Sequence, residues 1–515
     1  MTGQADSHAS QNLAASAAVS AVVALLAFVL AAMAQNDWVF EYPLDDVYIH
    51  LSMAAEIRHG GYGVNADEWA SAASSPLYPV LLTPFAETPS QRWWPLLWNI
   101  AALVIAARLV GQALDKAQLG RAGFWLAIAA PACLAMYATA YAGMENMAHT
   151  AASLAIVLGL WRFAETGRIT ALLIAGVLFA PAFRLEGLAL TTAAGAAVLV
   201  LGRPIAGMGL IALGAVPALA FVWFLTSLGL DPLPNSVMAK LSDQAGADEG
   251  GFLARVAGTF SANANTYGGR YLLALAMVTT LVSLAAMKTN RGKAYVGLAV
   301  SVSAFAHLAF GSMGWLDRYE NYAIVALFVA LTMVLSGSAL VRVGVLAVAL
   351  VGGLLTYGPY VPNNMTNMAA IYRQHAQMAR FAKEFAQTPV AVNDLGYIAW
   401  HNPNYVLDLW GLASKEALNY RLSETDMAWA DALADAHGVR FAMIYDKWAG
   451  EALGPTWVKL GTLSVYAPGA FLGGPDVAFY ARRATYAPVL SDQLEAWSKG
   501  LPRGAHFIFA GEARE

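Results

Sequence analysis

Charge is what this sequence has least of. Only 12% of its 515 residues are Asp, Glu, Lys or Arg, while 58% are hydrophobic, and a soluble domain carries roughly a quarter charged. The chain therefore reads as a polytopic membrane protein. The 30 Lys and Arg against 34 Asp and Glu leave a net charge of −4 with no basic cluster, which excludes a nucleic-acid surface. A single cysteine, Cys133, excludes an intramolecular disulfide. Walker and dinucleotide glycine signatures are absent from any strand-to-helix context, so an ATP-driven mechanism has no support. No fixed-period repeat or low-complexity tract interrupts the chain.

What is present is a series of apolar runs. A bilayer core about 30 Å thick needs about 20 apolar residues per helix, and about eleven segments approach this. They run at about 13–35, 93–114, 122–140, 146–162, 169–184, 186–201, 206–229, 271–288, 293–311, 319–337 and 340–358. The first ends in "AAMAQ", where Ala32 and Ala34 mimic a signal-peptidase site, yet the run is too long for a signal sequence and reads as an uncleaved helix. Lys116, Arg121, Arg162, Arg168, Arg203, Lys288, Arg291, Lys293 and Arg342 fall on one side if the helices alternate, and that side is expected to be cytoplasmic. The expected division is a transmembrane domain over 1–358, with a long first outer loop at 36–92, and an extracytoplasmic α/β domain over 359–515. In that tail "AAIYRQHAQMARFAKEF" is helical in pattern, while "PVAVND", "YVLDL" and "RFAMIYD" read as strands.

The first outer loop carries "EYPLDDVYIH". After Asp45 and Asp46, residues Val47, Leu51, Ala54, Ile57 and Arg58 share a stripe that predicts a short amphipathic helix on the membrane surface. A second short helix is expected at "SSPLYPVLLTPF", with Ser74 or Ser75 as its cap, ahead of an interfacial belt of Trp93, Trp94 and Trp98. One acid of the pair can serve simply as a helix cap worth roughly 1 kcal/mol. Other outer helix ends are polar as well: Glu145 in "AGMEN", Arg184 and Glu186 in "FRLEG", Asn235 and Lys240 in "LPNSVMAK", and Asp317, Arg318 and Glu320. Structural roles exist for each, with Arg184 pairing Glu186 or Glu145, Arg318 pairing Asp317, and Lys240 reaching lipid phosphate. Their collection on one face favours a site for an anionic lipid headgroup.

The stretch from "LDDVYIH" to "SSPLYPVLL", with "GMEN", "RLEG", "LPNSVMAK" and the tail's "NDLGYIAWHNPNYVLDLWGL" in the same order, resembles the GT-C superfamily of glycosyltransferases. Within it, the cell-wall arabinofuranosyltransferases and their bacterial relatives are most similar. Asn146 and Leu185 depart from the commoner residues at their positions, so the sugar does not carry over. The resemblance implies an enzyme of the bacterial plasma membrane, its active site and C-terminal domain outside. It would transfer a sugar, with arabinofuranose one option, from a polyprenyl-phosphate donor to a glycan, lipid or protein acceptor. Asp45 and Asp46 are the expected catalytic acids, Asp45 the favoured base, while Arg184, Glu186, Lys240, Arg318, Asn235, Tyr48, His50 and Glu145 are the expected donor-binding set. Asn393, Asp394 and Asp408 of the tail either approach the cavity or cap turns. No cofactor is required, although the paired acids could hold a divalent cation. A lipid-saccharide transporter or flippase and a non-catalytic polysaccharide-binding scaffold are the competing readings.

Overall fold

The computed structural model describes residues 3–66, 68–239, 251–423 and 427–511. The chain is mostly helical, with one small sheet near the C-terminus. Among the described residues, seven helices are long and apolar enough to cross a membrane: Leu13–Ala34, Gln91–Lys116, Asn146–Thr166, Pro204–Ser227, Tyr267–Ala286, Arg291–Phe310 and Ala339–Ala386. The other four expected segments are shorter. Ala171–Phe183, Gly187–Val200 and Asn321–Val334 are apolar but brief. The segment expected at 122–140 is broken into Arg121–Cys133 and Met136–Tyr141, because Ala135 takes a left-handed conformation with φ of 52°. The side chain of Asn321 donates to the carbonyl of Leu134 at that break, 2.8 Å away, which satisfies a backbone group that hydrocarbon would leave stranded.

Burial separates the helices. Asn321–Val334 is buried along its whole length, whereas Pro204–Ser227 leaves Ile205, Leu219 and Trp223 exposed. An apolar face turned outward to this extent fits lipid better than water.

The run Ala339–Ala386 continues well past the length a bilayer needs. Its last turns, from Val361 onward, pack into the C-terminal unit. The six strands there are β1 (Val390–Val392), β2 (Val406–Asp408), β3 (Phe441–Ile444), β4 (Val458–Val465), β5 (Asp476–Ala481) and β6 (Ala505–Phe509). Their order is β2-β1-β3-β5-β4-β6, with β1 parallel to both β2 and β3 and the remaining pairings antiparallel. The first three strands fall where the sequence pattern places them, and β1, β2 and β3 are buried on both faces, as parallel strands covered by helices are.

The first outer loop does not lie open on a membrane surface. Helix Asp46–Arg58 forms as expected, but Val47 through Ala54 are all buried, because the C-terminal unit covers the face that an interfacial helix would show to water. Tyr397 and Trp400 pack on Tyr48 with ring centroids 4.2 and 5.3 Å away. The side chain of Asn65 pairs with both backbone groups of Val406, at 2.9 and 3.0 Å, closing the open edge of β2. In the second short helix, Tyr78–Leu82, the Tyr78 N–H donates to the Ser75 hydroxyl.

Candidate functional site

Asp45 and Asp46 stand where the extended start of the first loop turns into helix Asp46–Arg58. Successive residues there point about 100° apart, and the two carboxylates reach different partners. Asp45 accepts the backbone N–H groups of Gly396 and Tyr397, at 2.6 and 2.8 Å. Gly396 is obligatory in that contact: a Cβ on it would stand 2.2 Å from the carbonyl oxygen of Asp45. Asp46 accepts from Arg318 Nη2 at 2.6 Å.

Two arginines anchor the polar groups of these helix ends. Arg184 bridges Glu145 and Glu186, each at 2.7 Å, with Glu145 fully buried and also 3.5 Å from His50 Nε2. Arg318 has one carboxylate partner, Asp46, rather than the neighbouring Asp317, whose side chain takes the hydroxyl of Tyr267. The ring of Tyr319 lies under both guanidinium groups, 5.2 Å from Arg184 and 4.8 Å from Arg318. Arg318 is 3% exposed, and among the described residues its Nε and Nη1 have no hydrogen-bond partner.

A cavity of about 340 Å³ opens beside Arg318, between the first loop and the C-terminal unit. Asp45, Asp46, His50 and Arg318 line it from one side. From the other come His375, Asn393, Asp394, Trp410 and Trp448, and the sheet explains why. Asn393 and Asp394 directly follow β1, Trp410 follows β2, and Trp448 follows β3. All lie beyond the carboxyl ends of the parallel trio, where open α/β sheets gather their ligand groups. The indoles of Trp410 and Trp448 are 4.9 Å apart. With Trp315 and Phe471 they give the cavity an aromatic wall suited to the apolar faces of a sugar ring or isoprenoid.

Burial pushes the carboxyl of Asp45 up to about 6, with His375 opposing the shift and Asp394 adding to it. Burial likewise lowers the basicity of His50 against the pull of Glu145. For Glu145 and Glu186, each preceding a helix, burial works against ionisation. The guanidinium of Arg184 outweighs it and holds both below the usual carboxylate range.

Several expected site residues stand elsewhere. Arg184, Glu186 and Glu145 form their own cluster behind His50 and do not line the cavity. Tyr48 turns to the other side of its helix, where its hydroxyl donates to Glu41 within a buried set that includes Arg92 and Tyr397. Asn235 donates to the carbonyl of Leu412 and so ties its loop to the C-terminal unit. Lys240 lies outside the described residues. Asp408 accepts from the backbone of Trp410 and Ala413, a turn-capping role. His375 was not legible: it sits in a helical stretch where a polar residue reads as solvent-facing, and only the docking of the two units brings it to the cavity.

A family model described as a domain of unknown function (DUF8728) matches residues 366–480. That stretch carries His375, Asn393, Asp394, Trp410, Trp448 and Phe471, the tail's share of the cavity wall. No curated protein matches the chain.

Proposed function

We propose that this protein is a membrane glycosyltransferase of GT-C type, moving a sugar from a polyprenyl-phosphate donor to an acceptor hydroxyl at the outer membrane face. The observation that carries this reading is Arg318: a buried guanidinium on a cavity wall, with one carboxylate partner and two donors unused. Leaving buried donors unpaired costs about 1–3 kcal/mol each; both nitrogens are enclosed, so a phosphate oxygen reaches them once the Arg318 side chain turns toward the cavity, and that contact removes the cost. Asp45 and Asp46 on the same wall, with Asp394 across the cavity, supply the carboxylates that glycosyl transfer needs.

In this reading the donor's phosphate sits against Arg318 and its sugar lies over the Trp410 and Trp448 indoles. The acceptor oxygen attacks the anomeric carbon as the bond from that carbon to the phosphate oxygen breaks. The hydroxyl proton passes to a carboxylate, and polyprenyl phosphate leaves with an added charge that Arg318 stabilises. Asp45 is fixed by the backbone of 396–397 whether or not donor is bound, whereas Asp46 regains basicity when phosphate draws on Arg318, so Asp46 is the acceptor of the proton in this reading. Phosphate binding draws on the same guanidinium that neutralises Asp46, and the chemistry is thereby linked to the presence of donor. Arg184, with two carboxylates of its own, has no such role.

The test uses the purified full chain in lipid nanodiscs, with polyprenyl-phosphate-linked sugars as donors. Native mass spectrometry reads co-purifying or added donor, and release of polyprenyl phosphate reads transfer. Saturable donor binding that Arg318→Gln abolishes supports the proposal. Binding of saccharide without any release, in the presence of a range of glycan acceptors, would favour a transporter or scaffold instead.

A further inference from the structure

Asp45 from the first loop, His375 from the long helical run and Asp394 from the end of β1 meet on the cavity wall. Ligating atoms of the three lie within 4.8 Å of one another. One ion about 2.1 Å from each atom spans such a group after small side-chain rotations. Among the described residues, neither Asp45 nor Asp394 has a Lys or Arg partner, since the nearby Arg318 is committed to Asp46. His375 is 1% exposed; its Nε2 is 3.1 Å from Asp394 Oδ2, while its Nδ1 is buried without a hydrogen-bond partner.

The support of Asp45 resembles that of a metal ligand. The Gly396 and Tyr397 N–H groups fix the Asp45 carboxylate and leave each of its oxygens a further acceptor position. Bonds of this kind, made behind the ligands, orient them before the ion arrives. We infer that Asp45, His375 and Asp394 form a divalent-cation site that joins the first loop to the C-terminal unit. One imidazole among two carboxylates selects a first-row transition ion such as Mn²⁺ over Ca²⁺, which prefers an all-oxygen shell. The site does not depend on the glycosyltransferase reading; where that reading holds, the ion lines the same cavity as the phosphate-binding Arg318.

The experiment strips the purified full chain with chelator and titrates it with Mn²⁺ alone. Electron paramagnetic resonance counts the bound ion, and pulsed measurements detect coupling to imidazole nitrogen. Expected is one Mn²⁺ per chain with nitrogen coupling. His375→Gln should abolish the coupling, and His375→Gln and Asp394→Asn should each weaken binding at least tenfold. Asp446→Asn, at an exposed acid paired with Lys459 and outside the cavity lining, should change neither. Sub-stoichiometric binding by the wild type, nitrogen coupling that survives His375→Gln, or unchanged affinity in Asp394→Asn would overturn the site and leave an imidazolium bridging two carboxylates. If His375→Gln does not fold, Asp394→Asn decides alone. Retained Mn²⁺ binding in a protein that transfers no sugar would leave this inference standing and sink the preceding one.

Discussion

Two arginines, Arg184 and Arg318, occupy comparable places at helix ends, share the ring of Tyr319 and are almost equally buried, at 6% and 3% exposure. They differ in partners. Among the described residues, Arg184 is held by two carboxylates and does not line the cavity; Arg318 has one, keeps two donors unused and lines it. A guanidinium between two acids already sits in a net negative environment, where a further anion meets repulsion. One acid leaves a neutral pair with spare donors, and an anion is then welcome. The count of carboxylates around each arginine separates a structural ion cluster from the proposed binding site, and sequence proximity to an acid does not.

The comparison breaks most sharply at the carboxylate beside Arg318. Asp46→Asn keeps the shape but cannot take a proton, and transfer should fall by about 10²–10⁴-fold with donor binding retained; near-normal turnover in the folded variant would remove the proposed base. Arg318→Gln should lower transfer by about 10²–10³-fold and abolish saturable donor binding in native mass spectra. Equal donor affinity in that variant would mean that its unused nitrogens are not the phosphate site.

Arg184→Gln should behave in the opposite way. It strands a buried Glu145 and should cost about 3–5 kcal/mol of stability, with transfer per folded molecule changed only a few-fold. The sign of the acid response follows. In the wild type Glu145 and Glu186 ionise more readily folded than unfolded, so their contribution is complete above the unfolded value of 4.5 and is lost as pH falls below it. Without Arg184, burial is the largest remaining influence on both, opposed by smaller ones from His50, His149 and the backbone, so the loss of stability on acidification should shrink or reverse. Thermal unfolding across pH 3–7 would show parallel curves if Arg184 were not the cause.

The smallest effect is expected at Tyr48→Phe. Glu41 keeps Arg92 and Tyr397 as partners, so stability should drop by about 1 kcal/mol and transfer should stay unchanged. A tenfold loss of transfer would return Tyr48 to the donor site.

The sequence by itself determined the greasy helical body, the position of the surface helix after Asp46, the strands over 390–392, 406–408 and 441–444, and the gathering of ionisable groups at helix ends. Those features follow from composition and local periodicity, which are written in contiguous residues. It did not determine which ion pairs form. Arg318 lies beside Asp317 in the chain yet pairs with Asp46, and Tyr48 lies three residues after Asp45 yet turns from the cavity. Nor did it show that the tail would bury a helix whose pattern suits a membrane surface. These depend on contacts between residues hundreds apart, such as Asp45 with Gly396 and Asn65 with Val406. Only the docking of the two units brings His375 and Asp394 to Asp45, because no local pattern encodes the partner a side chain meets across an interface.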